Sequence, residues 1–448
     1  MSNESNIQGN QNIVLQGVTD STITVNIDGT PKELERRLDA LVGLLEELQA
    51  KQLQLEGKPY YIDSFNAENF DFFVEQLRSG RELPPELAEN LVTESNRWVD
   101  SLRQELLRQG VSVGKQPQRI FEHYGWLIET FLLKMNSPVG RGPTLRRLSF
   151  MAEAYQSALR YLCYIQLAQL LPQWQKALPA SIAAFLQSEE GAHIEFDYLN
   201  LLLLVTEQLE GRANFMPEIE ELVEELTDPE TDLYSTALFL TRQRDALLRG
   251  AIEEDGQLPT LLDQYLTGLI YWLRRVAFLA RYRLVSIKDI NLNYRLGTAK
   301  NFVHLYGELH GVYAEMPNEG EDYSAYAVQD YFTYNQSVLL LKGSSVEACL
   351  QNLQHGGNYL SLSPLLIDQS VFSEKNTQTP EIFYYTGQAS KGRKYFYALY
   401  KNELALREER KTSNKQLTVQ RQNNKQPKLD ELYDQLKQLF NPAKRPSA

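Results

Sequence analysis

The spacing of apolar residues gives the first 30 residues a strand-like period of two. Ile13 and Leu15, and after them Ile23 and Val25, alternate with other residues, as in half-buried β-strands, and residues 17–21 supply a turn. An apolar residue followed by Gln-Gly also recurs eight residues apart. The pattern predicts a β-hairpin or β-arch, which either decorates the next helix or assembles between chains. The predicted interaction residues are Ile7, Gln8, Gly9, Asn12, Ile13, Leu15, Gln16, Gly17, Ile23 and Val25.

The period changes to that of a helix from Pro31 onward. Thr30 is suited to the N-cap, and Pro31 to the first helical position. Leucines then recur every three or four residues, which forms one apolar stripe. The stripe predicts a helix over residues 31–57 that either forms a short coiled coil or docks on a bundle. Its interaction residues are Leu34, Leu38, Leu41 and Leu45.

Residues 58–283 have the pattern of a helical domain. Prolines divide this region into segments of helical length. The most apolar segments cover residues 120–134, 159–171, 198–205 and 261–280, and we expect them to form the central helices. Because no repeat is visible, the pattern predicts an irregular helical bundle and not a solenoid.

Strand-like runs replace the helical period near residue 284. They include residues 287–294, 332–334, 338–341, 382–385 and 395–400, which predict a smaller α+β domain over 284–406. Residues 407–427 are charged and lack an apolar period, which is typical of a flexible linker. The fold class predicted for the whole chain is therefore mainly α, with the N-terminal β-hairpin and helix and this C-terminal α+β domain.

A last amphipathic helix is predicted over residues 428–442. Leu429, Leu432, Leu436 and Phe440 lie on its apolar stripe. So short a helix is unstable alone, and it must dock either on its own body or in the groove of a partner.

The charge of the chain bears on nucleic-acid binding in two ways. A formal net charge of −13 argues against general affinity for phosphate backbones. Residues 391–428, however, contain eleven Lys or Arg against three Glu, interleaved with aromatic residues. Lys391, Arg393 and Lys394 are therefore candidate nucleic-acid contacts. The alternative is that the aromatics are core residues and the cations complement an acidic body.

The search for catalytic chemistry finds no motif, so the chain is predicted not to be an enzyme, with no catalytic residue, cofactor or metal site. His304 and His310 do not have the four-residue spacing of zinc hydrolases. If the segment were a strand, these histidines and Glu308 would face one side, and a hidden site could also recruit Asp368. Cys163 and Cys349 have no metal-binding spacing and are expected to be buried apolar residues.

The location of the protein is predicted from what its sequence lacks. The first residues lack the pattern of a signal peptide, and no apolar stretch is long enough to span a bilayer. The absence of a disulfide framework suits a reducing compartment. We therefore expect a cytoplasmic protein without a membrane partner.

The first 60 residues resemble N-terminal modules of bacterial conflict and antiphage-defence proteins. The residues that carry this resemblance are 6–18, 21–26 and 28–29, followed by the leucine-rich helix and by 58–63. The Ile-Gln-Gly motif is also loosely similar to amyloid signalling motifs. The resemblance implies recruitment of partners with a like N-terminus in a bacterial cytoplasm.

These observations favour a non-catalytic adaptor or sensor that forms a homo-oligomer or recruits a protein partner through its N-terminus. Two alternatives stay open. One is an effector enzyme, such as a nuclease or a nucleotide-processing protein, with an unrecognised site. The other is a structural protein that is tethered to nucleic acid through the basic C-terminal segment.

Overall fold

The computed structural model describes residues 12–18 and 21–26, most of 99–311, and segments between 324 and 440. The chain forms two compact units. The strands at residues 12–26 belong to the first unit. The second unit comprises residues 101–135, 143–312 and 317–448, and it contains the other described strands and nearly all of the described helical residues.

Two antiparallel strands form a ribbon in the first unit. Strand β1 covers Asn12–Val18 and β2 covers Ser21–Asn26. Their register places Ile13 opposite Val25 and Leu15 opposite Ile23. Among the described residues this ribbon is a separate two-stranded sheet. The predicted helix over 31–57 lies outside the described residues.

Nine α-helices occur in the described part of the chain, and prolines and polar caps set many of their ends. Thr144 caps the helix that begins at Leu145 by accepting a hydrogen bond from the Arg147 backbone N–H at 3.2 Å. The helices are α1 (Val99–Arg108), α2 (Trp126–Asn136), α3 (Leu145–Gln173), α4 (Ala180–Leu186), α5 (Tyr198–Leu209), α6 (Glu218–Thr227), α7 (Asp232–Leu248), α8 (Leu258–Arg275) and α9 (Pro427–Phe440).

Helix α3 is the centre of the second unit. Its side chains from Arg147 to Leu171 are buried on every face. Helices α5, α7 and α8 pack on it, and strand β7 (Tyr359–Ser361) and helix α9 also contact it. A helix that is covered on all sides belongs to a core shared by several layers.

The second unit also contains two antiparallel sheets. Besides β7, their strands are β3 (Tyr282–Asn293), β4 (Asn301–Glu308), β5 (Ser324–Val328), β6 (Val338–Lys342), β8 (Leu366–Asp368), β9 (Ile382–Ala389), β10 (Lys394–Leu399) and β11 (Gln416–Gln420). The five-stranded sheet has the order β5-β4-β3-β6-β7, and the four-stranded sheet has the order β11-β10-β9-β8.

A buried carboxylate joins the two sheets. Asp368 at the end of β8 accepts a 2.8 Å hydrogen bond from the Ser286 hydroxyl on β3. Its other oxygen accepts backbone N–H groups of Ser370 and Glu381, each at 2.9 Å. With these hydrogen bonds made, Asp368 serves as a structural link between the sheets.

The predicted fold class is wrong, because the sheets and helices are not separated into a bundle and a smaller domain. Tyr164 of α3 donates a hydrogen bond to the Tyr385 carbonyl of β9, and both residues are buried. Tyr385 in turn donates to the Leu186 carbonyl of α4 at 2.5 Å. The described part of the second unit is therefore an α+β structure in which sheet and helices share one core. The change of period near residue 284 marks a change of element and not the edge of a core.

The C-terminal part of the chain differs from its prediction in a similar way. Strand β11 lies inside the interval that we interpreted as a flexible linker, and its Val419 is fully buried. One buried apolar residue in a short edge strand leaves almost no periodic signal. Helix α9 docks on its own body, since Tyr433 and Phe440 pack against Tyr395 with ring centroids 5.6 and 6.0 Å apart. No described helix has an apolar stretch long enough to cross a bilayer.

Candidate functional site

A stripe of polar side chains is buried along the central helix α3. Glu153, Gln156, Ser157 and Arg160 recur at i, i+3, i+4 and i+7, which places them on one helix face. All four are less than a tenth exposed. Burial of a charged group costs roughly several kcal/mol unless it is paired and hydrogen-bonded. The stripe therefore calls for a specific explanation.

Arg160 lies between two tyrosine rings and a carboxylate. Its guanidinium carbon is 4.3 Å from the centroid of the Tyr384 ring and 5.2 Å from that of the Tyr198 ring. Both distances are within the range of cation–π attraction. Arg160 Nη2 lies 3.9 Å from a carboxylate oxygen of Glu153. This distance is longer than the roughly 2.7–2.9 Å of a charge-assisted hydrogen bond. The cation is thus stabilised by the ring faces, by a hydrogen bond with the Tyr198 hydroxyl and by a carboxylate at a distance.

His193 completes the wall around the Tyr384 ring. The two ring centroids are 5.8 Å apart and the rings meet edge to face. Burial, and then the charge of Arg160, lower the pKa of His193 to about 3. The imidazole is therefore neutral at neutral pH, and one of its nitrogens carries a proton.

Residues 188–189 and 191–197, called here the cover segment, lie between helices α4 and α5 and bring His193 against this centre. The Ser188 hydroxyl donates to the Thr386 carbonyl at 2.9 Å, which fastens one end to β9. Near the other end, Gln156 Nε2 donates to the Phe196 carbonyl at 3.4 Å. Asp197 then caps α5 by accepting the Asn200 N–H at 3.0 Å. The cover segment is thus held by helix α3 and by the sheet together.

A second buried arginine reaches the same cover segment. Arg244 of α7 is 4% exposed and donates to the Ile194 carbonyl. Its carboxylate partner, Asp245, is 2.9 Å away, but the Asp245 side chain is 38% exposed. Arg244 is thus a second buried arginine, and its carboxylate partner is more exposed than Glu153, which pairs with Arg160.

Several polar atoms of this centre make no hydrogen bond within the described part of the chain. They are the Ser157 hydroxyl, Arg160 Nε, His193 Nδ1 and Arg244 Nε. The Tyr198 hydroxyl, in contrast, is hydrogen-bonded to Arg160 and Tyr164, and burial raises its pKa, so it keeps its proton. Buried polar groups are almost always hydrogen-bonded, to protein or to ordered water. The atoms left over here are mostly hydrogen-bond donors.

Sequence reasoning missed this centre, although a local signal was present. The four polar residues have helical spacing within and just before a segment that we predicted to be a central helix. Polar residues on one stripe of a helix are usually solvated, and here they are covered. Tyr384 and Arg244 lie in distant parts of the sequence, so only the fold brings them to Arg160.

The residues considered for a metal site do not converge on one. Strand β4 contains His304 and ends at Glu308, and His310 lies beyond its end. His310 Nε2 accepts the Leu284 N–H at 3.0 Å, and Nδ1 donates to the Glu122 carbonyl at 2.9 Å. Within the described residues, no three His, Cys, Asp or Glu side chains are placed to share a metal ion.

Glu129 and His310 instead form a buried clamp between a helix and a strand end. One Glu129 oxygen accepts the Gly125 N–H and the other accepts the Gly311 N–H, both at 2.9 Å. His310 Nδ1 lies 3.5 Å from Glu129. Burial, followed by the charge of Arg283, lowers the pKa of His310 to about 4. These contacts have the character of structural hydrogen bonds.

The basic C-terminal segment is partly engaged with acidic groups of the same unit. Lys415 contacts Glu381 at 2.6 Å, and Arg421 lies 3.5 Å from Asp434. Arg393 and Lys394 are exposed at the turn between β9 and β10, whereas Lys391 lies outside the described residues. The aromatic residues interleaved with these cations are core residues, as shown by Tyr395, Phe396, Tyr397 and Tyr400.

The predicted interaction residues fall into three groups. Ile7, Gln8 and Gly9, and the helix residues Leu34, Leu38, Leu41 and Leu45, lie outside the described residues. Strands β1 and β2 contain Asn12, Ile13, Leu15, Gln16, Gly17, Ile23 and Val25. In α9, Leu432 and Leu436 are buried, and Leu429 and Phe440 are half-buried.

No protein-family model matches this chain, and neither a curated protein nor a solved structure matches it.

Proposed function

We propose that this chain is a non-catalytic adaptor or sensor that self-associates, or recruits a partner with a like N-terminus, through the β1–β2 ribbon. The resemblance of the first 60 residues to modules of bacterial defence proteins suggests a role in such a system. The second unit, with its covered polar centre, would then supply recognition. Assembly is the part of this proposal that the geometry supports best.

One observation carries the proposal. The register sets Ile13 against Val25 and Leu15 against Ile23, so that four apolar residues share one face of a two-stranded ribbon. No third strand joins this ribbon among the described residues. An isolated two-stranded ribbon is marginal in water, and it gains stability when its apolar face and its edges are covered. A second ribbon of the same sequence offers a matching surface.

The experiment is a measurement of particle mass by light scattering after size exclusion. The full chain is compared with a chain that lacks residues 1–52, over the same range of concentration. The proposal predicts two or more chains per particle for the full chain and fewer for the shortened one. An equal number of chains in both samples contradicts it.

A further inference from the structure

A cavity of about 510 Å³ lies in the second unit, where three elements meet without filling the space between them. Its floor is helix α3, which contributes Leu167, Ala168 and Leu171. One wall is the chain from Leu360 to Leu365, at and after strand β7, and the other is the C-terminal half of helix α9. Ligand-binding pockets measure roughly 300–1,000 Å³, so this cavity has the size to hold a small organic molecule.

The interior of the cavity is apolar and its rim is polar. Leu167, Leu171 and Leu365 are buried and form the interior. On the α9 side, Gln435 is half-buried and Gln438 is exposed, so that the lining becomes polar where it meets solvent. Binding pockets commonly combine an apolar lining with a few polar groups that orient the ligand. This gradient suits a ligand with an apolar body and one polar end.

The lining residues that the structure describes carry no charged side chain. Lys437 lies between two lining residues in sequence, but its ammonium group is over the Tyr433 ring, 5.8 Å from the centroid. The polar side chains of the lining are serine hydroxyls and glutamine carboxamides, which can both donate and accept hydrogen bonds. Burial of a carboxylate without a counter-charge costs roughly several kcal/mol. The lining therefore favours an uncharged ligand over an anionic one.

The wall that follows strand β7 is held in place by hydrogen bonds. The Ser363 hydroxyl accepts the Val338 N–H at 2.8 Å and donates to the Leu366 carbonyl at 2.9 Å. The Tyr397 hydroxyl donates to the Pro364 carbonyl at 2.7 Å. Because these contacts are internal to the fold, the wall needs no ordering by a ligand, and a preformed site lowers the entropic cost of binding.

We propose that this cavity binds a small uncharged amphiphile of the medium-chain alcohol type. Its apolar chain lies on the leucines of the α3 floor, and its polar end bonds Gln435 or Gln438 at the rim. The site belongs wholly to the second unit and is independent of assembly through the N-terminus. A failure of this inference therefore leaves the proposed assembly untouched.

The test is a fluorescence titration of the full-length protein with Nile red, an uncharged dye that becomes brighter in apolar surroundings. The bound dye is then displaced with 1-octanol or with octanoate at pH 7, because these two molecules share a chain and differ in charge. The proposal predicts saturable dye binding and displacement by octanol. It predicts that octanoate competes at least about tenfold more weakly.

Three variants locate the site and its selectivity. Ala168→Leu adds an isopropyl group to the floor, so dye and octanol should bind at least about tenfold more weakly while the unfolding temperature does not fall. Ala184→Leu is the matched control, since Ala184 is exposed in helix α4, and it should leave binding unchanged. Gln438→Lys places a cation at the rim. It should strengthen octanoate binding by about threefold and leave octanol binding unchanged.

Two results would overturn the assignment. One is a dye signal that Ala168→Leu and Ala184→Leu change equally, which would place the dye on another apolar surface. The other is octanoate that competes as well as octanol with the wild-type protein and gains nothing from Gln438→Lys, which would mean that the lining does not select an uncharged ligand.

Discussion

Gly387 in strand β9 and Ser188 at the start of the cover segment meet backbone to backbone. A Cβ atom added to Gly387 would lie 2.0 Å from the Ser188 carbonyl oxygen, and Gly387 has φ of +151°. The neighbouring Gln388 N–H donates to the same Ser188 oxygen at 3.0 Å. Only glycine permits this approach, which fixes the four-stranded sheet to the end of helix α4.

The first prediction concerns this junction. Gly387→Ala should lower the free energy of unfolding by about 2–4 kcal/mol, because the backbone must separate and the hydrogen bond from Gln388 is lost. Chemical denaturation measures the change. Gly110→Ala is the control, since Gly110 also has a positive φ, of +79°, but no atom within 4 Å of the added Cβ. It should cost only about 1 kcal/mol, and equal losses for the two variants would contradict the close contact.

The strands and helix near this junction show which elements of the fold the sequence pattern predicted. The runs at 338–341, 382–385 and 395–400 predicted strands β6, β9 and β10, and the apolar stripe after Pro427 predicted helix α9. Strands β8 and β11 are three and five residues long, too short for an alternating pattern to be distinctive. The attachment of strand β9 to the end of helix α4 depends on the Gly387–Ser188 contact, which joins residues 199 positions apart and has no periodic signature.

The candidate site was hidden for a related reason. Arg160 has the character of an exposed residue until Tyr384 and Tyr198 are known to cover it. In contrast, the histidines that attracted attention proved to make ordinary backbone hydrogen bonds, as His310 does with Leu284 and Glu122. Residue type indicates which chemistry is available, whereas burial and neighbours decide whether it is used.

The second prediction concerns the buried carboxylate of Glu129. Glu129→Gln replaces one of two acceptor oxygens with a donor, which then faces the Gly125 or the Gly311 N–H. The free energy of unfolding should fall by about 2–3 kcal/mol. Asp434→Asn is the control, because Asp434 lies 3.5 Å from Arg421 and both side chains are about half exposed, and surface ion pairs contribute about 0–1 kcal/mol. If the free energy of unfolding falls no more in Glu129→Gln than in the control, the buried hydrogen bonds of Glu129 do not stabilise the fold as described.

The third prediction is a loss of stability in mild acid. The folded protein holds His310 and His193 with pKa values of about 4 and about 3, while unfolded histidine has a pKa of about 6.5. Below about pH 6.5, therefore, these two histidines bind protons in the unfolded chain but stay neutral in the folded chain. The free energy of unfolding has its full value above that pH. It falls as the pH decreases towards 4, by up to about 1.4 kcal/mol per pH unit for each histidine.

A comparison of denaturation curves between pH 7 and pH 5 measures this slope. His193→Phe keeps a ring against Tyr384 and removes one titrating histidine, so its slope should be visibly shallower than that of the wild type. If both proteins lose stability equally between these pH values, His193 is not a buried neutral histidine.

The fourth prediction concerns the docking of helix α9. Leu436 is fully buried beneath this helix, so Leu436→Ala should cost about 2–4 kcal/mol. Glu431→Ala changes an exposed residue in the same helix and should stay within about 0.5 kcal/mol of the wild type. Proteolysis after residue 426 should become faster in the first variant alone. Equal protection of both variants would show that α9 does not depend on this contact.

The central claim is assembly through the apolar face of the β1–β2 ribbon, and its most direct test is the mass of full-length particles with that face altered. Leu15→Asn combined with Ile23→Asn changes one directly opposed pair, and Val14→Asn combined with Thr24→Asn changes the adjacent pair on the other face. Light scattering should find fewer chains per particle in the first double variant, and the wild-type number in the second. An unchanged particle mass in the first variant, or an equal loss in both, would contradict the account.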